Sequence, residues 1–215
     1  MTERRHFETR AEWLDHRQYG IGASEAAAAA GDNPSFSRMD LWKLKTGQTE
    51  AQDLSGNELV QRGNRMEHAL RVWFTASHPE LTVEHHPYDM LYQTERPWLY
   101  ATLDGDVTVN ATKELGILEI KTAEPRSREG WAEWEDRIPQ KYYDQLLHQH
   151  LATKRRLLWL VAGLWRMNGD VTIREYTVRA DSGFIADAEW LLRSETVFWH
   201  DNVLRRLPPA TPIRL

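Results

Sequence analysis

A mixed α/β fold, with a central mixed β-sheet flanked by helices, is what this 215-residue chain predicts. Three observations lead there. Helical periodicity fills the first third of the chain, a strand meander follows between Thr82 and Thr122, and a crossover helix separates that meander from a hairpin over Arg156 to Val178. The length suits one domain, 1–215, and no shift in composition divides it.

Taken in order, Glu8 to Arg17 predicts a short helix ending before Gly20-Ile21-Gly22. Ser24 reads as the N-cap of a helix over Glu25 to Ala30, whose alanines permit close packing and which Gly31-Asp32-Asn33-Pro34 stops. Arg38 to Gly47 carries Met39, Leu41, Trp42 and Leu44 at helical spacing. After a polar connection from Gln48 to Gly56, a longer helix from Asn57 to Ser77 shows an apolar stripe of Leu59, Met66, Leu70, Trp73 and Phe74, with Glu67 beside it. Strands are expected at Thr82–His86, Met90–Gln93, Leu99–Asp106 and Leu115–Thr122, and helices at Arg128–Trp134 and Pro139–Ala152. A hairpin turning at Asn168-Gly169 joins Arg156–Trp165 to Val171–Val178, and a last helix, Ser182–Arg206, stops at Pro208-Pro209.

Composition narrows the chemistry. With no cysteine, the chain offers neither a thiolate metal site nor a thiol nucleophile, which fits a reducing cytoplasm. The polar start, Met1-Thr2-Glu3-Arg4-Arg5-His6, and the lack of long apolar runs predict a soluble protein with no membrane contact. A net charge of −5 argues against indiscriminate nucleic-acid binding, although local groups such as Arg4, Arg5, Arg10 and Arg17, or Lys154, Arg155 and Arg156, would make a positive track. His68, His85, His86, His148 and His150 lack the spacing of a zinc site and receive no catalytic role.

The most informative stretch is Thr102-Leu103-Asp104-Gly105-Asp106 followed by Leu118-Glu119-Ile120-Lys121, which reads as one β-hairpin. Residues two apart on a strand share a face, so Glu119 and Lys121 stand together. Asp104, Glu119 and the Ile120 carbonyl would supply oxygen donors to a hard divalent cation, with Lys121 beside the metal-bound water. An ordinary cross-strand salt bridge gives the same E-x-K pattern. Arg17 and Ser24 form a second constellation, a guanidinium fork and a hydroxyl suited to a phosphate; Ser24 as a plain cap and Arg17 as a surface charge is the other reading of the same residues.

In order, Trp13-x3-Arg17-x2-Gly20-x2-Ala23-Ser24-Glu25, Gly63-x3-Glu67, Thr102-x-Asp104-Gly105, Glu119-x-Lys121 and Tyr142-x2-Gln145 resemble the YqaJ-type viral recombinase family, to which phage lambda exonuclease belongs. The resemblance covers nearly the whole chain. It implies a restriction-endonuclease-like core and a Mg2+-dependent 5′→3′ exonuclease that degrades one strand of linear duplex DNA to mononucleotides. A 3′ tail would remain for recombination by strand annealing, in a bacterial or phage-infected cell. It implies two Mg2+ ions, replaceable by Mn2+, with Asp104 touching both, Glu119 and the Ile120 carbonyl completing one site, and Glu67 reaching the other. Lys121 would orient or deprotonate the attacking water, with its pKa lowered by flanking cations, and Gln145 would hold that water or a phosphate. Arg17, Ser24 and Thr102 would capture the 5′-phosphate. Leu59 or Val60 is the candidate wedge at the duplex end, and both also suit the core face of the long helix. A ring-shaped homotrimer and a single-strand annealing partner are implied as well. Two other readings are a structure-specific endonuclease of the same superfamily and a catalytically silent DNA-binding subunit. A Cas4-like nuclease would want an iron–sulfur cluster that this chain has no cysteine to hold.

Overall fold

The computed structural model describes residues 1–51 and 56–210, with Leu59 described only as part of its helix. Part of the expected polar connection, residues 52–55, therefore lies outside the described residues. The elements are β1 (Thr2–His6), α1 (Arg10–His16), β2 (Ile21–Gly22), α2 (Ala26–Ala30), α3 (Arg38–Lys45) and α4 (Glu58–Ser77). Then come β3 (Leu81–Glu84), β4 (Asp89–Gln93), β5 (Arg96–Ala101), β6 (Gly105–Val109) and β7 (Leu115–Ala123). The chain closes with α5 (Arg128–Ala132), α6 (Gln140–Thr153), β8 (Leu157–Trp165), β9 (Val171–Arg179) and α7 (Ser182–Val197). No described helix is long and apolar enough to cross a membrane.

The fold is mixed α/β, as expected, but its strands form two sheets. One has the order β1-β4-β5-β2, the other β3-β6-β7-β8-β9. The second is the larger and is mixed in direction: β7 pairs antiparallel with β6 and parallel with β8, and β8 pairs antiparallel with β9. The parallel β7–β8 pair requires a crossover, which α5 and α6 supply.

The expected single strand Leu99–Asp106 divides where the chain leaves one sheet for the other. β5 pairs with β4 and β2, whereas β6 pairs with β3 and β7. Thr102, Leu103 and Asp104 form the crossing. Leu103 points into the core at 6% exposure while its two neighbours are half-buried. Alternation thus continues through the crossing, which is why the segment reads as one strand.

Several local features differ from the sequence reading. β1 has no apolar alternation and four of its five residues are exposed, so nothing in its sequence marks a strand. It is an edge held by the ladder to β4 and by Arg4 and His6, which both pair with Asp89. Ser24 does not cap a helix: it lies inside a 3-10 turn, Ala23–Glu25, where the Glu25 carboxylate accepts the Gly22 N–H at 2.9 Å. Gly20 is required by a close approach, since a Cβ there would stand 2.4 Å from the Trp98 carbonyl oxygen. The last helix is α-helical only to Val197 and continues as a π-turn over Phe198–Val203. There Trp199 stacks on Trp98, and the Asn202 carbonyl accepts Trp42 Nε1–H at 3.1 Å.

The main core gathers α2, α3, α6, α7 and the facing sheet surfaces. The first four alanines of α2 are buried at 3% or less, which lets α2 approach α6 and α7 closely, and Gly31 ends it in the left-handed region at φ 97°. A smaller cluster fills the other face of the larger sheet, where Leu70 and Phe74 of α4 meet Leu118, Ile120 and Val161.

Helix α6 is the spine. Every residue from Asp144 to Thr153 is buried, and its inward face is polar as well as apolar. His148 Nδ1 meets Glu195 Oε1 of α7 at 2.6 Å, and Nε2 donates to the Tyr100 carbonyl of β5 at 2.9 Å. With acceptors at both ring nitrogens, the ring carries both protons. Burial opposes that charge, but Glu195 and the Tyr100 carbonyl outweigh it and raise the His148 pKa above its ordinary 6.5.

Glu195→Ala would leave this imidazolium without its counter-charge, and we expect a loss of about 3–5 kcal/mol in urea unfolding. The sign of the pH effect follows from the raised pKa: the contribution is complete below the unfolded value and is lost as pH rises through the folded one. The stability lost between about pH 6 and about pH 9 should therefore shrink in a His148→Gln, Glu195→Gln double variant. An undiminished loss would assign the titration to other groups.

Candidate functional site

Strand β7 carries the centre of the site. Glu119 and Lys121 project to one face, as the period of two requires, and their carboxylate and ammonium are in direct contact. Glu119 is 1% exposed. Such a carboxylate needs donors, and it finds them one turn apart on α6: Gln145 Nε2 donates to Oε1 at 2.6 Å, and Gln149 Nε2 donates to Oε2. Gln145, expected to hold water or phosphate, lines the cleft and gives an amide N–H to Glu119. Gln149 was not anticipated, although its i+4 spacing from Gln145 puts both on one helix face.

Asp104 stands at the sheet crossing. The β6–β7 ladder ends at Gly105↔Leu118, so the backbone of Ile120 faces Asp104 instead of a strand, and its N–H donates to Oδ2 at 2.7 Å. In an antiparallel ladder a residue's N–H and C=O share an edge, so the Ile120 carbonyl projects the same way. Its side chain is core. Arg71 of α4 fixes the Asp104 backbone, donating from Nε to its carbonyl at 2.6 Å, and pairs through Nη2 with Glu67. The i,i+4 relation of Glu67 and Arg71 is visible in the sequence; their joint attachment to Asp104 is not.

Electrostatics here are unbalanced toward negative. Burial pushes the Glu119 carboxyl above its ordinary range, and the charge of Asp104 pushes it further. Asp104 is raised by burial too, against the pull of Lys121 and with a push from Glu67. Burial lowers the Lys121 pKa, but Glu119 and Asp104 together carry it above the usual lysine value, so between these carboxylates it is an ammonium. The expected lowering would need flanking cations. Burial holds both carboxyls toward their neutral forms; once ionised they outnumber the one ammonium, and Asp104, Glu119 and the Ile120 edge offer the oxygen donors that a hard divalent cation takes. Glu67 is engaged with Arg71, and among the described residues no three His, Asp or Glu side chains are gathered as a ligand set.

The second constellation opens into the same cleft, of about 220 Å3, whose lining includes Arg17, Ser24, Thr102, Asp104, Glu119, Lys121 and Gln145. Arg17 Nη2 donates to Ser24 Oγ at 3.3 Å, and its guanidinium lies 4.9 Å from the centre of the Trp13 ring. Trp13 Nε1 donates to Thr102 Oγ1 at 3.0 Å, so one indole ties the arginine to the hydroxyl two residues before Asp104. Beneath them Glu25 is buried against Lys45, whose Nζ lies 2.8 Å from Oε2 and donates to the Arg17 carbonyl at 2.6 Å. Glu25 also faces Arg17 at 3.6 Å, and Tyr100 OH donates to the Arg17 carbonyl. Lys45 has no sequence signal beyond being the last residue of α3. Of the expected wedge, Val60 is half-buried near the start of α4, and the Leu59 side chain lies outside the described residues.

A guanidinium and two hydroxyls at one end and a carboxylate pair at the other thus share one cleft on a mixed α/β scaffold. The chain belongs to the YqaJ-like viral recombinase domain family, whose model matches residues 12–156. It is 27% identical over 205 residues to "Uncharacterized protein YqaJ" of Bacillus subtilis (strain 168). That match covers 94% of this chain but 59% of the relative, so the chain spans about three-fifths of the relative's length. The fold is similar to that of the alkaline exonuclease LHK-Exo of Laribacter hongkongensis, with a TM-score of 0.64 at 21% identity over 91% of this chain and 96% of that one. LHK-Exo in complex with dAMP gives 0.59 at 17% identity, over 91% and 98%.

Lys45→Met should cost about 3–5 kcal/mol in urea unfolding, because Glu25 would keep its charge in the interior without its nearest cation. Lys45→Arg should recover part of that loss. Wild-type stability in Lys45→Met would mean that Arg17 alone balances Glu25.

Proposed function

We propose that this chain is a Mg2+-dependent 5′→3′ exonuclease that removes mononucleotides from one strand of linear duplex DNA and leaves a 3′ single-stranded tail for recombination by annealing. One observation carries the reading: the arginine–hydroxyl pocket and the Asp104–Glu119–Lys121 group line one cleft. Membership of the recombinase family and the fold likeness to an alkaline exonuclease support it. The known complex of LHK-Exo with dAMP supports a mononucleotide as the released unit. A homotrimer threaded by DNA and a single-strand annealing partner belong to the same proposal.

Two bound Mg2+ ions, or Mn2+ in their place, would neutralise phosphate charge and acidify water. Asp104, Glu119 and the Ile120 carbonyl would hold them, with Glu67 joining on release from Arg71. The protein's own contribution is positional. Arg17 binds the 5′-terminal phosphate, assisted by Ser24 and Thr102, and so measures which phosphodiester reaches Asp104. Lys121, kept charged by its neighbours, orients the attacking water and faces the charge that grows on the phosphoryl oxygens. Gln145 and Gln149 donate to both oxygens of Glu119 and so favour its ionised form against the burial that raises its pKa.

A blunt duplex labelled at either end and supplied with Mg2+ should lose its 5′ label first, as a mononucleotide, and Asp104→Ala should abolish that release without unfolding the protein. Loss beginning at the 3′ label would reverse the polarity, and full activity of the variant would remove Asp104 from the site.

Arg17→Ala should slow digestion of 5′-phosphorylated ends much more than of 5′-hydroxyl ends, since the fork has its largest differential contact with the terminal phosphate. Ser24→Ala should act in the same direction, more weakly, because it deletes one neutral hydrogen bond. The quantity to measure is the ratio of initial rates on the two ends. A ratio unchanged in Arg17→Ala would make this arginine a general phosphate contact.

A further inference from the structure

A second concavity, of about 370 Å3, lies between the start of α4 and the C-terminal ends of β7 and β8, and it shares no lining residue with the cleft. In α/β sheets the crevice beyond the carboxyl ends of parallel strands is the usual place for a ligand. Arg62 and Arg126 both line it and both turn to one carboxylate, Glu124, with Arg62 Nη2 at 3.1 Å from Oε2 and Arg126 Nη2 at 3.7 Å from Oε1. Two guanidiniums sharing one carboxylate leave a unit of positive charge. Arg62 also lies over the Trp165 ring at 4.6 Å from its centre, which holds the fork in place. Trp165 keeps a buried Nε1–H that has no acceptor among the described residues. Gly63 leaves the groove open, since a Cβ there would stand 3.3 Å from Thr122 Oγ1. This is the chemistry of an anion subsite with a flat aromatic wall.

Its position indicates which anion. Thr122 directly follows Lys121, and Thr122 is about 10 Å along β7 from Glu119, three residues at roughly 3.3 Å each. The Arg17 pocket adjoins the smaller sheet through Tyr100 and the crossing through Thr102, whereas the groove adjoins β8 through Trp165. In sheet order β7 lies between them, with Glu119 and Lys121 on its α6 face and Thr122 on the face that α4 covers, where Gly63 is one turn from Glu67. We propose that the Arg62–Arg126 groove is a phosphodiester subsite that takes the attacked strand on the 3′ side of the scissile bond, one to a few nucleotides beyond it. The proposal rests on the nuclease reading and adds to it a second grip on the same strand. Glu124 holds the two forks in readiness and gives them up to the entering phosphate.

The test is a length series of 5′-phosphorylated single-stranded oligodeoxynucleotides, of about one, two, four and eight residues, bound by the whole protein with chelator present so that nothing is cleaved. For the wild type, affinity should rise roughly tenfold as the ligand grows long enough to reach the groove. In an Arg62→Gln, Arg126→Gln double variant that rise should be lost while the one-residue ligand binds as before. The slope of log affinity against log salt for the longest ligand should fall by about 1.4, or 0.7 for each single-strand phosphate released. Arg179→Gln, which removes a charge at the far end of β9, should leave rise and slope intact. A rise that survives in the double variant overturns the subsite, and so does equal weakening of the one-residue ligand. A wild type that binds no member of the series removes the nuclease reading itself.

Discussion

The burial of one carboxylate organises this molecule. Glu119 lies in the middle of the larger sheet, at a depth where an unpaired charge would be prohibitive. Its three donors come from two directions, Lys121 along the strand and Gln145 and Gln149 from α6. Satisfying that carboxylate therefore fixes the distance and the rotation of α6 over β7. Once α6 is placed, His148 must meet both Tyr100 and Glu195, which brings the smaller sheet and α7 into register. A polar face that looks like a liability in a buried helix is the means by which two sheets and a helix are aligned.

The same economy governs the second constellation. Arg17 has its backbone carbonyl held by Lys45 and Tyr100 and its guanidinium stacked on Trp13. Glu25 sits beneath it, so the buried charges number one negative and two positive, and the surplus faces the cleft. At the other end the surplus is negative. The cleft is thus polarised along its length by charges that its own walls leave unmatched, which suits a chain of phosphates bound beside cations. Asp106, two residues after Asp104, belongs to neither end: it pairs with Arg4 and Arg155 and ties β1 to the β6–β7 hairpin.

Much of this was legible in the sequence because period and punctuation carried it. The hairpin β6–β7, the helix α4, the hairpin β8–β9 and the stop at Gly31 all follow from apolar spacing and turn residues. The residues that the cleft brings together, from Arg17 to Gln145, were also named from the sequence, by resemblance and by the chemistry of their types. What stayed hidden was long-range. The polar strand β1 forms only because β4 offers an edge and Asp89 offers charge, and no local pattern announces that. Lys45, Gln149 and Arg71 act on residues far away in the chain, and the Ser24 turn is decided by a buried Glu25–Lys45 pair rather than by helix capping. The division into two sheets escaped notice because alternation runs unbroken through the crossing.

That crossing has a consequence for how the sequence can change. Thr102 and Asp104 face the cleft and Leu103 the core because successive side chains alternate, and the segment has no ladder of its own to absorb an extra residue. A substitution at Leu103 by another apolar residue alters only packing. An insertion or deletion of one residue would send a carboxylate into the core and an isobutyl group into the cleft, and would uncouple the two sheets at the same stroke. Drift at Leu103 is therefore open to composition while the segment is closed to length, so gap-free alignment across it is as strict a criterion for a working relative as identity at Asp104.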